Sequence, residues 1–179
     1  VNTQNSRIDI SANARPNNSV GVNSIVVGYQ NTTDNEEGTT ALGANNQAYG
    51  NSGLAVGNEN YANGGAATAI GAGNEARAAA TVALGNKNNA NATSAVAVGN
   101  YNNQNYTKGS NQTTPKQAGN YSTAVGSYNA ALGDNSVSVG SMNTSHVADT
   151  VTIGQNNNAK TMGGISIGKN NLTDSTNNG

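Results

Sequence analysis

The sequence predicts an all-β fold, a parallel β-roll built as a solenoid of 14-residue repeats, and three observations carry that prediction. An aliphatic-Gly pair returns at a fixed spacing through most of the 179 residues. Asparagine follows each of those glycines at the third place. The composition also lacks the bulky side chains of a globular core: there is no Phe, Trp or Cys, and only 34% of residues are hydrophobic. Low hydrophobicity alone would suit a disordered chain, but such chains carry high net charge or many prolines, and here the net charge is -1 with 2 prolines.

The repeat glycines are Gly28, Gly43, Gly57, Gly71, Gly85, Gly99, Gly126, Gly140, Gly154 and Gly168. Two intervals are longer than the rest, Gly28 to Gly43 and Gly99 to Gly126. With each glycine as position zero, position −1 is aliphatic throughout: Val27, Leu42, Val56, Ile70, Leu84, Val98, Val125, Val139, Ile153 and Ile167. Position −3 adds Ile25, Leu54, Val82, Val96, Val137, Val151 and Ile165, with threonine at 40, 68 and 123. Position −2 is small in every copy but the one holding Val26. Large-small-large alternation rich in β-branched residues marks a short strand whose two faces see different surroundings.

Position +3 is asparagine in each copy: Asn31, Asn46, Asn60, Asn74, Asn88, Asn102, Asn129, Asn143, Asn157 and Asn171. Position +5 is alanine at 48, 62, 76, 90, 131 and 159. Glycine and asparagine both tolerate left-handed backbone angles, so the pair brackets a turn. A weaker glycine signal half a period on, at Gly50, Gly64 and Gly133, predicts a second turn. Each unit therefore reads as two short strands and two tight turns, one flattened coil. Coils stacked in parallel bring the asparagines one above another as an amide ladder. Roughly twelve coils at about 4.8 Å make a rod about 55 Å long.

The small residues at −2 and +5 belong inside such a coil, which leaves the aliphatic row outside. Nothing else in the sequence is apolar enough to cover it. At about 1.5–3 kcal/mol per buried aliphatic side chain, covering this stripe is worth tens of kcal/mol, so it is expected to be an interface between copies. The residues alone do not choose between two subunits and three.

Other functions find little support. Lysines and arginines are scattered singly, so no basic stripe offers itself to nucleic acid. No apolar run reaches the length of a membrane span, and no segment has the form of a signal peptide. The absence of cysteine excludes a disulfide framework. Asp34, Glu36 and Glu37 form the one acidic cluster, which reads as a solvated turn rather than a calcium site. Glycine-rich stretches lack the GK[ST] ending of a phosphate loop. No cofactor, metal site or catalytic residue is expected. The closest enzymatic alternative is a parallel β-coil of the hexapeptide-acyltransferase type, but a six-residue register does not divide fourteen and the lone His146 matches such a site poorly. An ice-binding solenoid would need threonine ranks that the sequence lacks.

The beat is broken between Gly99 and Gly126, where residues 103–118 form an inserted loop. Loops on rigid scaffolds often carry binding function. Tyr106, Lys108, Lys116 and Tyr121 are the candidate ligand contacts there, tyrosine being a favoured interface anchor. The other tyrosines are read as edge covers with no aligned ladder. The chain thus divides into regular repeats over 20–102 and 119–171, interrupted by that loop, within one domain spanning 1–179.

The units TALGANNQAYGNSGLAVGNENYANG (40–64), VALGNKNNANATSAVAVGNYN (82–102) and STAVGSYNAALGDNSVSVGSMN (122–143) resemble the YadA-like head repeats of trimeric autotransporter adhesins. The resemblance implies a left-handed roll and a homotrimer, the chain packing with two copies of itself through the aliphatic stripe. It implies display on the outer membrane of a Gram-negative bacterium, and binding to host matrix proteins such as collagen, fibronectin or laminin, to host receptors, or to other bacteria. The chain reads as an isolated head fragment of a longer surface protein, with membrane anchoring supplied by parts absent from it.

Overall fold

A computed structural model describes residues 7–11, 16–105 and 114–174. Eleven long strands form one parallel sheet, and they number the turns of the solenoid. Turn 1 is Ile8–Ser11, followed by Ile25–Tyr29, Thr40–Ala44, Leu54–Asn58, Thr68–Ala72 and Val82–Asn86 as turns 2 to 6. Val96–Asn100, Thr123–Ser127, Val137–Ser141, Val151–Gln155 and Ile165–Lys169 complete turns 7 to 11. Equal repeat positions pair throughout: Val82, Ala83, Leu84 and Gly85 lie against Val96, Ala97, Val98 and Gly99. The stack passes straight over the insertion, with Val98 against Val125.

The long strands of turns 2 to 6 and 8 to 11 are each followed by a two-residue strand, and these form two smaller parallel sheets. One runs from Thr32–Thr33 to Asn89–Ala90, the other from Ala130–Ala131 to Leu172–Thr173. Both corners of the coil are made by left-handed residues half a period apart. At +2, Gln30, Asn45, Glu59, Lys87 and Tyr101 have φ between 49° and 56°; at +9, Ser52, Ala66, Ala80 and Ser94 have φ between 55° and 59°. The left-handed angle thus falls on the residue before the repeat asparagine, contrary to the expectation that asparagine itself would adopt it.

Asparagine is needed for its side chain. Asn74 is fully buried, and the two hydrogens of its Nδ2 are shared among Asn60 Oδ1 at 3.0 Å, Ile70 O in its own turn at 2.9 Å and Gly85 O in the next at 2.7 Å. Its backbone N–H also donates to Asn60 Oδ1, at 3.1 Å. One amide therefore ties three successive turns, and no shorter or acceptor-only side chain does so. The ladder begins one turn earlier than the glycine spacing suggests. Asn17 Oδ1 accepts from Asn31 N and Nδ2, while Asn17 Nδ2 donates to Ile10 O and Asp9 Oδ1. Turn 1 carries Ser11 in place of glycine and three extra residues before Asn17, which hid it from a search for the aliphatic-Gly pair. The stack holds eleven turns where about twelve were expected, and it starts ahead of residue 20.

The interior is as narrow as the small residues imply. Ala41, Ala55, Ala69, Ala83 and Ala97 at −2 face Ala48, Ala62, Ala76 and Ala90 at +5, all fully buried. A third inward position, +10, escaped the sequence reading; Thr39, Ala67, Thr81, Ala95, Ser122, Ser136 and Thr150 fill it. In turns 9 and 10 hydroxyls replace alanine: Ser138, Ser145 and Thr152 hydrogen-bond to one another at 3.0–3.1 Å, so the buried hydroxyls satisfy each other.

Candidate functional site

Two surfaces stand apart from this scaffold. The first is the outer face of the long sheet. Because −2 points inward, −3 and −1 point out, and the predicted interface residues Ile25, Val27, Leu42, Leu54, Val56, Ile70, Val82, Leu84, Val96, Val98, Val125, Val137, Val139, Val151, Ile153, Ile165 and Ile167 form two adjacent aliphatic columns. Ile8 and Ile10 extend them by one turn. Neighbouring turns cover the flanks of these side chains, but no described residue lies over them. Mid-stack members are half-buried, while Ile165 and Ile167 on the last turn are each 62% exposed. This is the largest continuous apolar feature among the described residues, and its only chemistry is burial.

The second surface surrounds the insertion, which leaves the coil as an antiparallel hairpin, Gln104–Asn105 against Thr114–Pro115. Its exit is managed by Asn103, a residue that no repeat position marks out. Elsewhere in the short sheets, the peptide group joining +4 to +5 accepts from one neighbouring turn and donates to the other. In turn 7 the chain departs before it can supply that peptide, and the Asn103 side chain takes its place. Nδ2 donates to Asn89 O at 3.0 Å, and Oδ1 accepts from Ala131 N–H at 2.9 Å. Asn103→Asp keeps the acceptor, removes the donor and buries a charge. It is expected to cost about 2–4 kcal/mol, read as a lower denaturant midpoint with faster amide exchange at Ala131.

Of the candidate contacts, Tyr106 and Lys108 lie outside the described residues. Lys116 stands at the hairpin root, where its N–H donates to Asn103 O and its carbonyl accepts from Asn89 and Asn91 Nδ2. Tyr121 lies in the next corner, 64% exposed, with a left-handed φ of 56°. The structure adds a tyrosine pair, contrary to the expectation of no aligned tyrosines. Tyr101 and Tyr128 both occupy +2, in the turns flanking the insertion, and their rings stack at 5.1 Å with planes 8° apart. Lys87 Nζ, at the same position one turn before, sits 5.4 Å from the Tyr101 centroid. Counting across the insertion rather than through it would have revealed this column. The stack reinforces one corner where the hairpin interrupts the short sheet.

Farther round, Arg77 donates to Glu75 at 2.9 Å and lies 4.8 Å from the Tyr61 centroid, and Tyr61 meets Tyr49 edge-on. His146 is held below its ordinary pKa by burial and by Lys116 and Lys160, against a hydrogen bond with Asn158. Burial and the two cations favour the neutral imidazole, and the Asn158 amide works against them. Among the described residues no group of three or more His, Cys, Asp or Glu is placed to hold a metal ion.

A family model described as YadA head domain repeat (2 copies) matches residues 19–46, 35–60, 76–102 and 118–141, together just over half of the chain. The chain belongs to the YadA head family. Its members are repeat heads of bacterial surface adhesins, a family not known for enzymes. None of the curated proteins matches the chain. The matched segments of this YadA head carry seven of the ten −1 aliphatic and glycine pairs and six of the ten +3 asparagines. The match leaves out the hairpin between 102 and 118, as it does residues 1–18, 61–75 and 142–179.

Proposed function

We propose that this chain is the head of a surface adhesin in which three copies, each a left-handed roll, pack through their aliphatic faces and present their remaining surface to host molecules. The observation that carries the reading is the uncovered pair of columns, one aliphatic in all eleven turns and the other in eight of them. A single chain leaves that face in water, whereas its interior is lined mainly by alanine and gains little from burial. Family membership supports a second copy as the cover, and a net charge of -1 puts almost no electrostatic repulsion between copies. Closed rotational symmetry buries the face of every copy equally.

Adhesion is assigned to the outside of the assembly, with host matrix proteins such as collagen, fibronectin or laminin, or host receptors, as the partner class, and the surface of a Gram-negative bacterium as the location. The hairpin and its surroundings, with Tyr106, Lys108, Lys116 and Tyr121, are the proposed ligand contact. No catalytic role is proposed. Removing residues 104–115 joins Asn103 to Lys116, whose N already lies 2.8 Å from Asn103 O. The joined turn would have the same length as the one between Gly28 and Gly43, so the fold should survive with an unchanged circular dichroism spectrum. Binding to immobilised matrix proteins, screened one by one, is expected to fall at least tenfold for the ligand concerned. Full retention of all binding would remove the hairpin from the account.

A further inference from the structure

Near-identical turns create a difficulty for any assembly of this chain. If copies pack face to face, which rests on the reading above, sliding one copy along another by one turn, about 4.8 Å, re-forms almost the same aliphatic contacts. Column −1 offers no resistance to this, because it is aliphatic in all eleven turns. Register has to be set by something on the face that breaks the repeat.

Column −3 breaks it. Eight of its turns carry an aliphatic residue and three carry threonine: Thr40 in turn 3, Thr68 in turn 5 and Thr123 in turn 8. Each is half-buried between aliphatic neighbours; Thr68, for example, has Leu54 on one side and Val82 on the other. None of the three hydroxyls hydrogen-bonds to another described residue. A hydroxyl that loses water without gaining a partner is penalised, so whatever covers this face must meet three polar groups at three particular heights.

Those heights are spaced unevenly. The separations are two, three and five turns. A copy displaced by one turn, or by four, brings no threonine level with another. Displacement by two, three or five turns aligns only one pair. A copy at zero offset aligns all three. The surface that meets the three hydroxyls together is therefore the same chain at the same height. We infer that Thr40, Thr68 and Thr123 act as a register key, fixing neighbouring copies of the chain at zero axial offset.

The test uses the whole chain with one nitroxide per copy, at Asn51→Cys in some copies and Met162→Cys in the others. Both sites are exposed and hold the same repeat position in turns 3 and 10, about 34 Å apart along the rod. In mixed assemblies, pulsed dipolar spectroscopy between unlike labels reads the offset directly, since a slip of one turn moves the distance by about 5 Å. With the native threonines, one such distance is expected. The triple variant Thr40→Val, Thr68→Val, Thr123→Val is expected to assemble and to add distances displaced by about 5 Å.

Two further variants keep three threonines. Thr68→Val with Val82→Thr moves the key to turns 3, 6 and 8, again unevenly spaced, and should retain a single distance. Thr123→Val with Val96→Thr gives turns 3, 5 and 7, evenly spaced, and should add a population displaced by about 10 Å, two turns. A single distance in all variants would overturn the key while leaving the packing intact, and so would several distances with the native threonines. Complete absence of distances between copies would overturn the packing itself, and the key with it.

Discussion

Replacing Gly85 by alanine is expected to destabilise the chain by about 4 kcal/mol or more, a large share of the stability of an ordinary domain. Gly85 has a φ of +114°, a region that side chains rarely enter, and a Cβ there would lie 2.1 Å from the carbonyl oxygen of Gly99 in the next turn. That obstacle is backbone held in a parallel ladder, so relief requires the two turns to part. Parting them also stretches the Asn88 contact to Gly99 O, now 2.8 Å. Gly65 is the internal control. It is exposed and a Cβ there meets nothing within 4 Å, so Gly65→Ala should stay within about 0.5 kcal/mol. Denaturant melts of the two variants against the parent decide the matter, and equal midpoints would refute the ladder as the source of stability.

Val98→Asp is expected to break the assembly without unfolding the turn. In a single copy Val98 is half-buried on the outer face, where an aspartate can reach water. Between copies the carboxylate would be enclosed by Leu84 and Val125 of its own chain and by the partners' aliphatic faces. An unpaired charge there costs several kcal/mol per copy, and symmetry repeats the cost in every copy. The expected result is a change from assembled to monomeric at micromolar concentration, with the β-sheet circular dichroism retained. Asn51→Asp, exposed in the corner away from the long sheet, should leave assembly as it was.

The scaffold was legible because the physics of a stacked coil repeats. A narrow interior admits only small residues at −2 and +5, and one amide per turn is required at the ladder, so both left a periodic trace. What the period could not convey is what happens where it fails. Turn 1 lost its glycine to Ser11 and was invisible to a search for glycine, although Ile8 and Ile10 keep the alternation. Asn103 gives no signal in a chain so rich in asparagine, since its role comes from a peptide group that is missing in turn 7. Tyr101 and Tyr128 appear unrelated until the insertion is removed from the count. The left-handed residue at +2 varies from Gln30 to Met142, because the angle is imposed by the ladder on either side rather than by its own preference. The proposed binding surface was legible only as a departure from the beat, which names a place and not a ligand.

The proposed function depends on the aliphatic face lying between copies of the chain. Sedimentation equilibrium of the purified chain tests this most directly. A single species of three times 17.9 kDa, persisting at micromolar concentration, is expected. A stable, folded species of 17.9 kDa, with that face open to water, would contradict it.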